Sequence, residues 1–395
     1  MSARKNVATV IGASALGVAL SLVLSGVGNV GRVAAIEARP PHAQPSPARR
    51  ASTASTTAPA LGHGAPSPSR RHARRAAPPV VIAAADEALC RRAAAAGEGG
   101  SEGIASSPAN DAAIVAAKRR IDAAMRASGE PLTQAVAAWL DAGNEAPAFR
   151  ERQEHLARLA QASGDARVYA LAWRECLKGV EDEPVAACQA LSARQWAQVD
   201  AGNAMPWVYV LGEAVARGDA LARDEALYQI ASSPRIEDRP FVVAHAILDH
   251  AEDGGAGLVA ANELLTQAVG MAAAQRLPLD ALRIVCRGVS REDANVAQMC
   301  AGAADLLMNR SDTLSMRAIG AAIDGALTGD GARRDRLREE TARIGVAAPS
   351  LNASQGCASL RDAQAYLRRA GELGEVDALR ERAMATDASG GKVGP

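Results

Sequence analysis

The chain has 395 residues, and its 44 Lys and Arg balance 44 Asp and Glu, so the formal net charge is zero. A nucleic-acid-binding protein would need clustered excess basicity, so we expect no nucleic acid partner. Hydrophobic residues make up 48% of the chain, too many for a wholly disordered protein. Aromatics make up only 3%, whereas Ala occurs 93 times, so the core must be built mostly from small and aliphatic side chains.

The first predicted element is a membrane anchor within residues 1–32. Between Lys5 and Arg32 lie 26 consecutive uncharged residues. A bilayer core needs about 20 apolar residues in a helix, whereas the apolar centre of a secretory signal has about 7–15. The length therefore favours a retained N-terminal transmembrane helix, an uncleaved signal anchor. The alternative is a signal peptide that is cleaved near Ala35.

The orientation of this helix is open from charge alone, because the cationic residues close to its two ends balance. Six cysteines, an even number, fit an oxidising exterior. The 40 Arg against 4 Lys are typical of a GC-rich genome. We therefore expect a bacterial inner-membrane protein with the bulk of its chain in the periplasm. The alternative is a structural protein that faces the cytoplasm and keeps its cysteines reduced.

A disordered linker is predicted for residues 33–80. This segment holds 9 of the 19 prolines, with Ser, Thr, Ala and Arg between them. It cannot bury enough apolar surface to offset the entropy of ordering it, so we expect a flexible tether. Residues 389–395 are expected to form a short disordered tail.

An α-helical domain is predicted for residues 81–388, because apolar residues recur there at intervals of three and four rather than two. Gly, Asp, Pro and Asn mark the turns. We expect about 300 residues to bury a large core. The predicted helices cover 81–96, 110–128, 132–142, 147–162, 166–178, 185–199, 206–217, 220–232, 239–251, 257–276, 278–287, 291–309, 312–327, 331–345, 360–372 and 374–386.

The segment around Trp207 has an order of residues that is found in a repeat family. Trp207 is followed by the pair Leu211-Gly212 and then by Gly218-Asp219, where the predicted helix ends. Over about 30 residues this order resembles a tetratricopeptide (TPR) unit, although the Leu-Gly pair lies one residue late. The resemblance implies stacked helical hairpins, TPR-like or α-solenoid-like, with a concave surface that binds a protein or peptide.

Nine of the ten aromatic residues lie between positions 139 and 241, in the middle of the helical domain. We expect them to pack its centre, because an Ala-rich fold needs some large core side chains. The alternative is that they line a groove for a ligand or a partner. Four of them are the candidates for either role: Trp173, Trp196, Trp207 and Tyr209.

Two cysteine pairs flank predicted turns. Cys176 ends one predicted helix and Cys188 lies early in the next, with the turn midway between them. These positions face each other in an antiparallel hairpin, so the geometry favours a disulfide. Cys286 and Cys300 flank the predicted helix start at Ser290 in a similar but less symmetrical manner, so this pair is also plausible.

Cys90 and Cys357 remain, one near each end of the helical domain. Their pairing follows only by exclusion among the 15 connectivities of six cysteines. The alternative is that the cysteines are reduced and buried as small hydrophobic residues. The spacings CxxC, CxxH and HxxxH do not occur, so we expect no structural zinc site.

The sequence shows no constellation that is typical of catalysis. The motifs GxSxG, HExxH and GxxxxGK[ST] are absent, and a GxGxxG at Gly26–Gly31 runs into the linker with no room for a nucleotide-binding unit. We therefore assign no catalytic, cofactor-binding or metal-ligating residue. We expect a protein-interaction or scaffold module that is held at the membrane by its N-terminal helix and binds an unknown protein partner. The alternative is an envelope enzyme whose site assembles from distant residues.

Overall fold

The part of the chain that the computed structural model describes is helical throughout. It contains no strand, and only two isolated β-bridges connect its loops. The predicted membrane anchor, linker and C-terminal tail lie outside the described residues. None of the described helices combines the length and apolarity that a bilayer crossing requires. The described residues are 86–90, 108–141, 146–178, 185–273, 279–287, 293–345, 349 and 356–388.

The first helices of this part pack largely against their neighbours in sequence. Residues 86–90 are helical and precede them. Each of the pairs α1–α2, α2–α3, α3–α4, α6–α7 and α7–α8 is in contact. Their bounds are Pro108–Ala127 (α1), Pro131–Leu140 (α2), Ala146–Ser163 (α3), Ala166–Cys176 (α4), Ala186–Gln189 (α5), Ala193–Val199 (α6), Met205–Arg217 (α7) and Ala220–Ser232 (α8).

The later helices return to the earlier ones. Helix α9 packs on α2 and α15, α10 packs on α1 and α15, α11 packs on α7, and α12 packs on α8. The helices α12–α13, α13–α14 and α15–α16 also pack in pairs. Their bounds are Val242–Leu248 (α9), Gly255–Ala273 (α10), Leu279–Arg287 (α11), Ala294–Arg310 (α12), Leu314–Thr328 (α13), Ala332–Gly345 (α14), Cys357–Leu373 (α15) and Glu375–Ala388 (α16).

The prediction of one continuous helix over residues 185–199 is wrong. Residues 185–199 form two short helices, α5 and α6, which are separated by Ala190–Ser192. The hydroxyl of Ser192 accepts a hydrogen bond from the amide of Gln195 at 3.1 Å and so caps α6. The predicted helix 239–251 is also too long, because α9 begins at Val242 and ends at Leu248.

The turn between α7 and α8 shows why the hairpins end where they do. Gly218 has φ of 65°, a left-handed conformation that costs glycine little. The carboxylate of Asp219 then accepts a hydrogen bond from the amide of Ala222 at 3.0 Å and caps α8. Gly164 and Asp165 have the same roles between α3 and α4. Each Gly-Asp pair therefore ends one helix and starts the next.

The core is continuous across most of these helices. Ala, Leu and Val supply most of its side chains, as the composition predicts, and Trp139 and Trp196 are the largest that are fully buried. Ala-rich faces allow helices to approach closely. At Gly320 in α13, an added Cβ would lie 2.7 Å from the Cβ of Leu307 in α12.

Candidate functional site

All six cysteines lie in described residues, and none of them is free. They form three disulfides, with Cα–Cα distances of 5.0, 5.5 and 5.5 Å. The pairs are the ones that the sequence favours: Cys90–Cys357, Cys176–Cys188 and Cys286–Cys300. Two of them connect neighbouring helices, and the third connects residues 86–90 to the start of α15.

The four aromatic candidates are not equivalent in the structure. Trp173, Trp196 and Tyr209 are buried, and the rings of Trp196 and Tyr209 lie 5.6 Å apart. Trp207, in the first turn of α7, is only half-buried and packs against the edge of the core. Of these four, Trp207 is therefore the one that reaches the surface.

Arg194 connects Trp207 to the neighbouring helix α8. Its guanidinium carbon lies 5.6 Å from the centroid of the Trp207 ring. Its two terminal nitrogens donate to the two carboxylate oxygens of Glu225, at 2.9 and 2.6 Å. The hydrogen bond lowers the pKa of Glu225 and raises the pKa of Arg194, so both groups stay charged at neutral pH. We call this pair of parallel hydrogen bonds the Arg194–Glu225 fork; it holds two opposite charges beside the Trp207 ring.

Two large apolar side chains flank Glu225 on the outer face of α8. Leu221 precedes Glu225 by four positions and Tyr228 follows it by three, so the three side chains share one helix face. Leu221 is 85% exposed and Tyr228 is 60% exposed. We call this set the α8 surface: Arg194, Trp207, Leu221, Glu225 and Tyr228.

Of the α8 surface, only Trp207 is among the candidates that the sequence predicts. The spacing of Leu221 and Tyr228 was a usable signal, because both lie opposite Ala226, Leu227 and Ile230, which are buried. Periodicity identifies such an outer face, but whether another helix covers that face depends on the tertiary packing.

A second group of polar residues lies inside the fold, around Glu175. Its carboxylate is fully buried and accepts hydrogen bonds from Trp139 Nε1 at 2.9 Å and Arg152 Nε at 3.0 Å. The ammonium group of Lys178 lies 2.9 Å from the same carboxylate. The Arg152 side chain is only 5% exposed. Because every charge in this group has a partner, it connects α2, α3 and α4 and leaves no free group for chemistry.

A third group fixes the loop formed by residues 233–241. The side-chain oxygen of Asn203 accepts from the amide of Glu237 at 3.0 Å, and its Nδ2 donates to the Glu237 carbonyl at 3.0 Å. Nδ2 also donates to the carboxylate of Asp200 at 2.8 Å. These bonds hold the loop against the residues that directly precede α7.

Asp312, between α12 and α13, holds the other end of this loop. Its carboxylate accepts hydrogen bonds from the amides of Asp238 at 3.0 Å and Arg239 at 2.7 Å. Arg239 has φ of 52°, which is uncommon outside glycine, and these bonds help to hold it there. Burial raises the pKa of Asp312 to about 7, and the nearby Asp238 charge adds to the rise, whereas the two amides oppose it. Arg174, in α4, forms an ion pair with Asp238 in the loop.

The described residues do not assemble a metal-binding cluster of three or more His, Cys, Asp or Glu side chains. The α8 surface is the described feature with exposed aromatic, aliphatic and charged groups together, and it is the candidate functional site. We find no protein-family model, curated protein or solved structure that matches this chain.

Proposed function

We propose that this chain is a membrane-anchored helical scaffold of the bacterial envelope, and that it binds a protein partner through the α8 surface. The observation that carries the proposal is the exposure of Leu221 and Tyr228 beside the Arg194–Glu225 fork. Trp, Tyr and Arg are the residues that most often dominate binding energy in protein interfaces. Here one residue of each type lies within a single hairpin and its neighbouring helix.

Preorganisation supports the same conclusion. Arg194 is already fixed by two hydrogen bonds and by the Trp207 ring, so a partner would not have to order this long side chain. The helical hairpin resembles a TPR unit, and repeats of that family present helical surfaces to proteins and peptides. The partner we expect offers an apolar surface to Leu221 and Tyr228 and hydrogen-bonding groups to the fork.

The N-terminal sequence and the cysteines support the proposed location. An uncharged segment of 26 residues would anchor the chain, and residues 33–80 would act as a tether. Three disulfides that use every cysteine suit the oxidising periplasm. A tether of this kind raises the local concentration of the helical domain near a partner in the same membrane.

Site-specific crosslinking in the native cells tests the binding surface. A photoreactive phenylalanine derivative at position 228 keeps an aromatic ring there, and the matched control carries it at exposed Glu151 on α3. We expect position 228 to give one discrete adduct that is lost when Leu221→Asp is added. A reporter enzyme that is active only in the periplasm, fused to the C-terminus, tests the orientation.

The crosslinking and the reporter test different parts of the proposal, the binding surface and the location. An adduct from position 228 that Leu221→Asp abolishes supports the surface and, by its mass, distinguishes a foreign partner from a second copy of the chain. Identical adducts from positions 228 and 151, or none from 228, would contradict the α8 surface. An inactive C-terminal reporter would contradict the periplasmic location but not the surface.

A further inference from the structure

Arg317 in α13 is a buried cation without a hydrogen bond. The residue is 6% exposed, and its Nε is buried with no partner. Its nearest acidic oxygen is Glu340 Oε1, 3.9 Å from a terminal nitrogen, which is beyond hydrogen-bonding distance. Among the described residues the guanidinium makes no side-chain hydrogen bond, and this long ion pair is its closest acidic contact. Burial, together with the nearby charge of Arg380, lowers the pKa of Arg317.

A second arginine approaches the same point. Arg380 in α16 donates from Nε to Glu340 Oε1 at 3.1 Å, so two guanidinium groups share one carboxylate oxygen. A further nitrogen of Arg380 lies 3.4 Å from Asp377, a long bond. The side chains of Arg380 and Glu340 are 39% and 30% exposed, so the cluster is open to solvent on this side. We call it the Arg317 cluster: Arg317, Glu340, Asp377 and Arg380.

The charges of the cluster favour an anion. Arg343 in α14 also acts on Glu340 and lowers its pKa, after the larger effect of the hydrogen bond from Arg380. The cluster itself has two arginines and two carboxylates, and the nearby charge of Arg343 adds a third positive group. A guanidinium presents five donors in a planar fork that matches a tetrahedral or planar oxyanion. A buried guanidinium whose N–H groups make no hydrogen bond is costly, because buried polar groups normally have a hydrogen-bond partner.

We propose that Arg317 and Arg380 form a binding site for a small oxyanion of the phosphate or sulfate class. The anion sits between the two guanidinium groups and accepts the hydrogen bonds that Arg317 does not make within the described fold. It connects α13 to α16 beside α14. The buried Arg317 forms the floor of the site, and Arg380 and Glu340 form its rim.

The test is ligand-dependent unfolding of the full chain in detergent, with phosphate or sulfate exchanged for chloride at constant ionic strength. We expect phosphate to raise the unfolding temperature of the wild type in a saturable manner. Arg317→Leu should weaken phosphate binding about tenfold or more, because charge-assisted hydrogen bonds are lost. In chloride the same variant should be at least as stable as the wild type, since an apolar side chain replaces a buried cation that makes no hydrogen bond.

Two further variants make the result specific. Glu340→Gln removes a competing negative charge and should strengthen phosphate binding, which a purely structural role of Glu340 does not predict. Arg338→Leu is the matched control, because Arg338 is exposed on α14 outside the cluster; it should keep the phosphate effect. The same unfolding measurement with glycerol phosphate shows whether a free ion or a phosphate group on a larger molecule binds better.

Three results would overturn the site. The first is a wild-type protein whose unfolding temperature is the same in phosphate and chloride and which gives no heat in a calorimetric phosphate titration. The second is an equal phosphate effect in the wild type and in Arg317→Leu. The third, which also decides the question if Arg317→Leu does not fold, is a Glu340→Gln variant that binds phosphate no better than the wild type.

Discussion

The buried carboxylate of Glu175 connects α2, α3 and α4. It receives hydrogen bonds from Trp139 and Arg152, and Arg152 is itself buried. Removing one partner of a buried ion pair leaves the other as an uncompensated charge. The stability of these helices therefore depends on the pair as a unit and not on the sum of separate contacts.

We expect Glu175→Gln to lower the free energy of unfolding by about 3–5 kcal/mol, because it leaves buried Arg152 without a counter-ion. The matched control is Glu154→Gln on α3, which breaks the exposed Glu154–Arg158 pair and should cost less than about 0.5 kcal/mol. Urea denaturation of both variants measures the difference. Similar losses for the two substitutions would show that the Glu175 pair is no more important than a surface pair.

Asp312 makes the folded protein less stable as the pH rises, which is the opposite of the usual effect of a paired carboxylate. Its pKa is about 7 in the folded state, whereas an unfolded Asp titrates near 3.9, so the folded state binds more protons between these values. Stability from this group is therefore lost as pH rises through the window, by up to about 1.4 kcal/mol per pH unit. Asp312→Asn cannot titrate, so its stability should fall less over the same range. Urea denaturation at a series of pH values compares the two proteins, and parallel curves would contradict the assignment.

At the scale of the helix, two glycines of α13 should respond in opposite ways to the same substitution. An added Cβ at Gly320 would lie 2.7 Å from Leu307 Cβ and 2.8 Å from the Ala304 carbonyl. At Gly325 the nearest atom is a carbonyl oxygen at 3.7 Å. Alanine favours a helix over glycine by about 1 kcal/mol, whereas overpacking costs about 1–3 kcal/mol or more.

We therefore expect Gly320→Ala to destabilise the protein, because the contact between α12 and α13 must open. Gly325→Ala, in the same helix, should stabilise it by up to about 1 kcal/mol. Thermal unfolding of both variants checks the two signs. If both substitutions stabilise, α12 and α13 do not approach as closely at Gly320 as the structure has them.

Helices and their turns were the predictable part of this fold, because their signals are local. The Gly218-Asp219 turn illustrates this: a left-handed glycine and a capping acid determine it within five residues. The loop at 233–241 was not predictable in the same way. Its conformation depends on Asn203 and Asp312, which lie far away in sequence. The α8 surface was only partly predictable, since its exposure depends on which helices pack elsewhere.

At the scale of the whole molecule, the disulfides constrain the chain over very different lengths. Cys176–Cys188 spans 12 residues and acts within one hairpin, whereas Cys90–Cys357 spans 267 and joins the two ends of the helical domain. Both residues of the long pair are fully buried, in a small cluster with Leu258 and Leu360 that is separate from the main core.

The lengths of the closed loops predict unequal costs of removing these bonds. In the chain-entropy description, closing a loop of 267 residues restricts the unfolded state by about 5–6 kcal/mol, and closing one of 12 by about 3 kcal/mol. Replacing Cys90 and Cys357 together by Ala should therefore destabilise the protein more than replacing Cys176 and Cys188. Urea denaturation under non-reducing conditions compares the two double variants, with the fully reduced wild type as the lower reference. A larger loss from the short pair would mean that native contacts around Cys176, and not restriction of the unfolded chain, determine what each disulfide contributes.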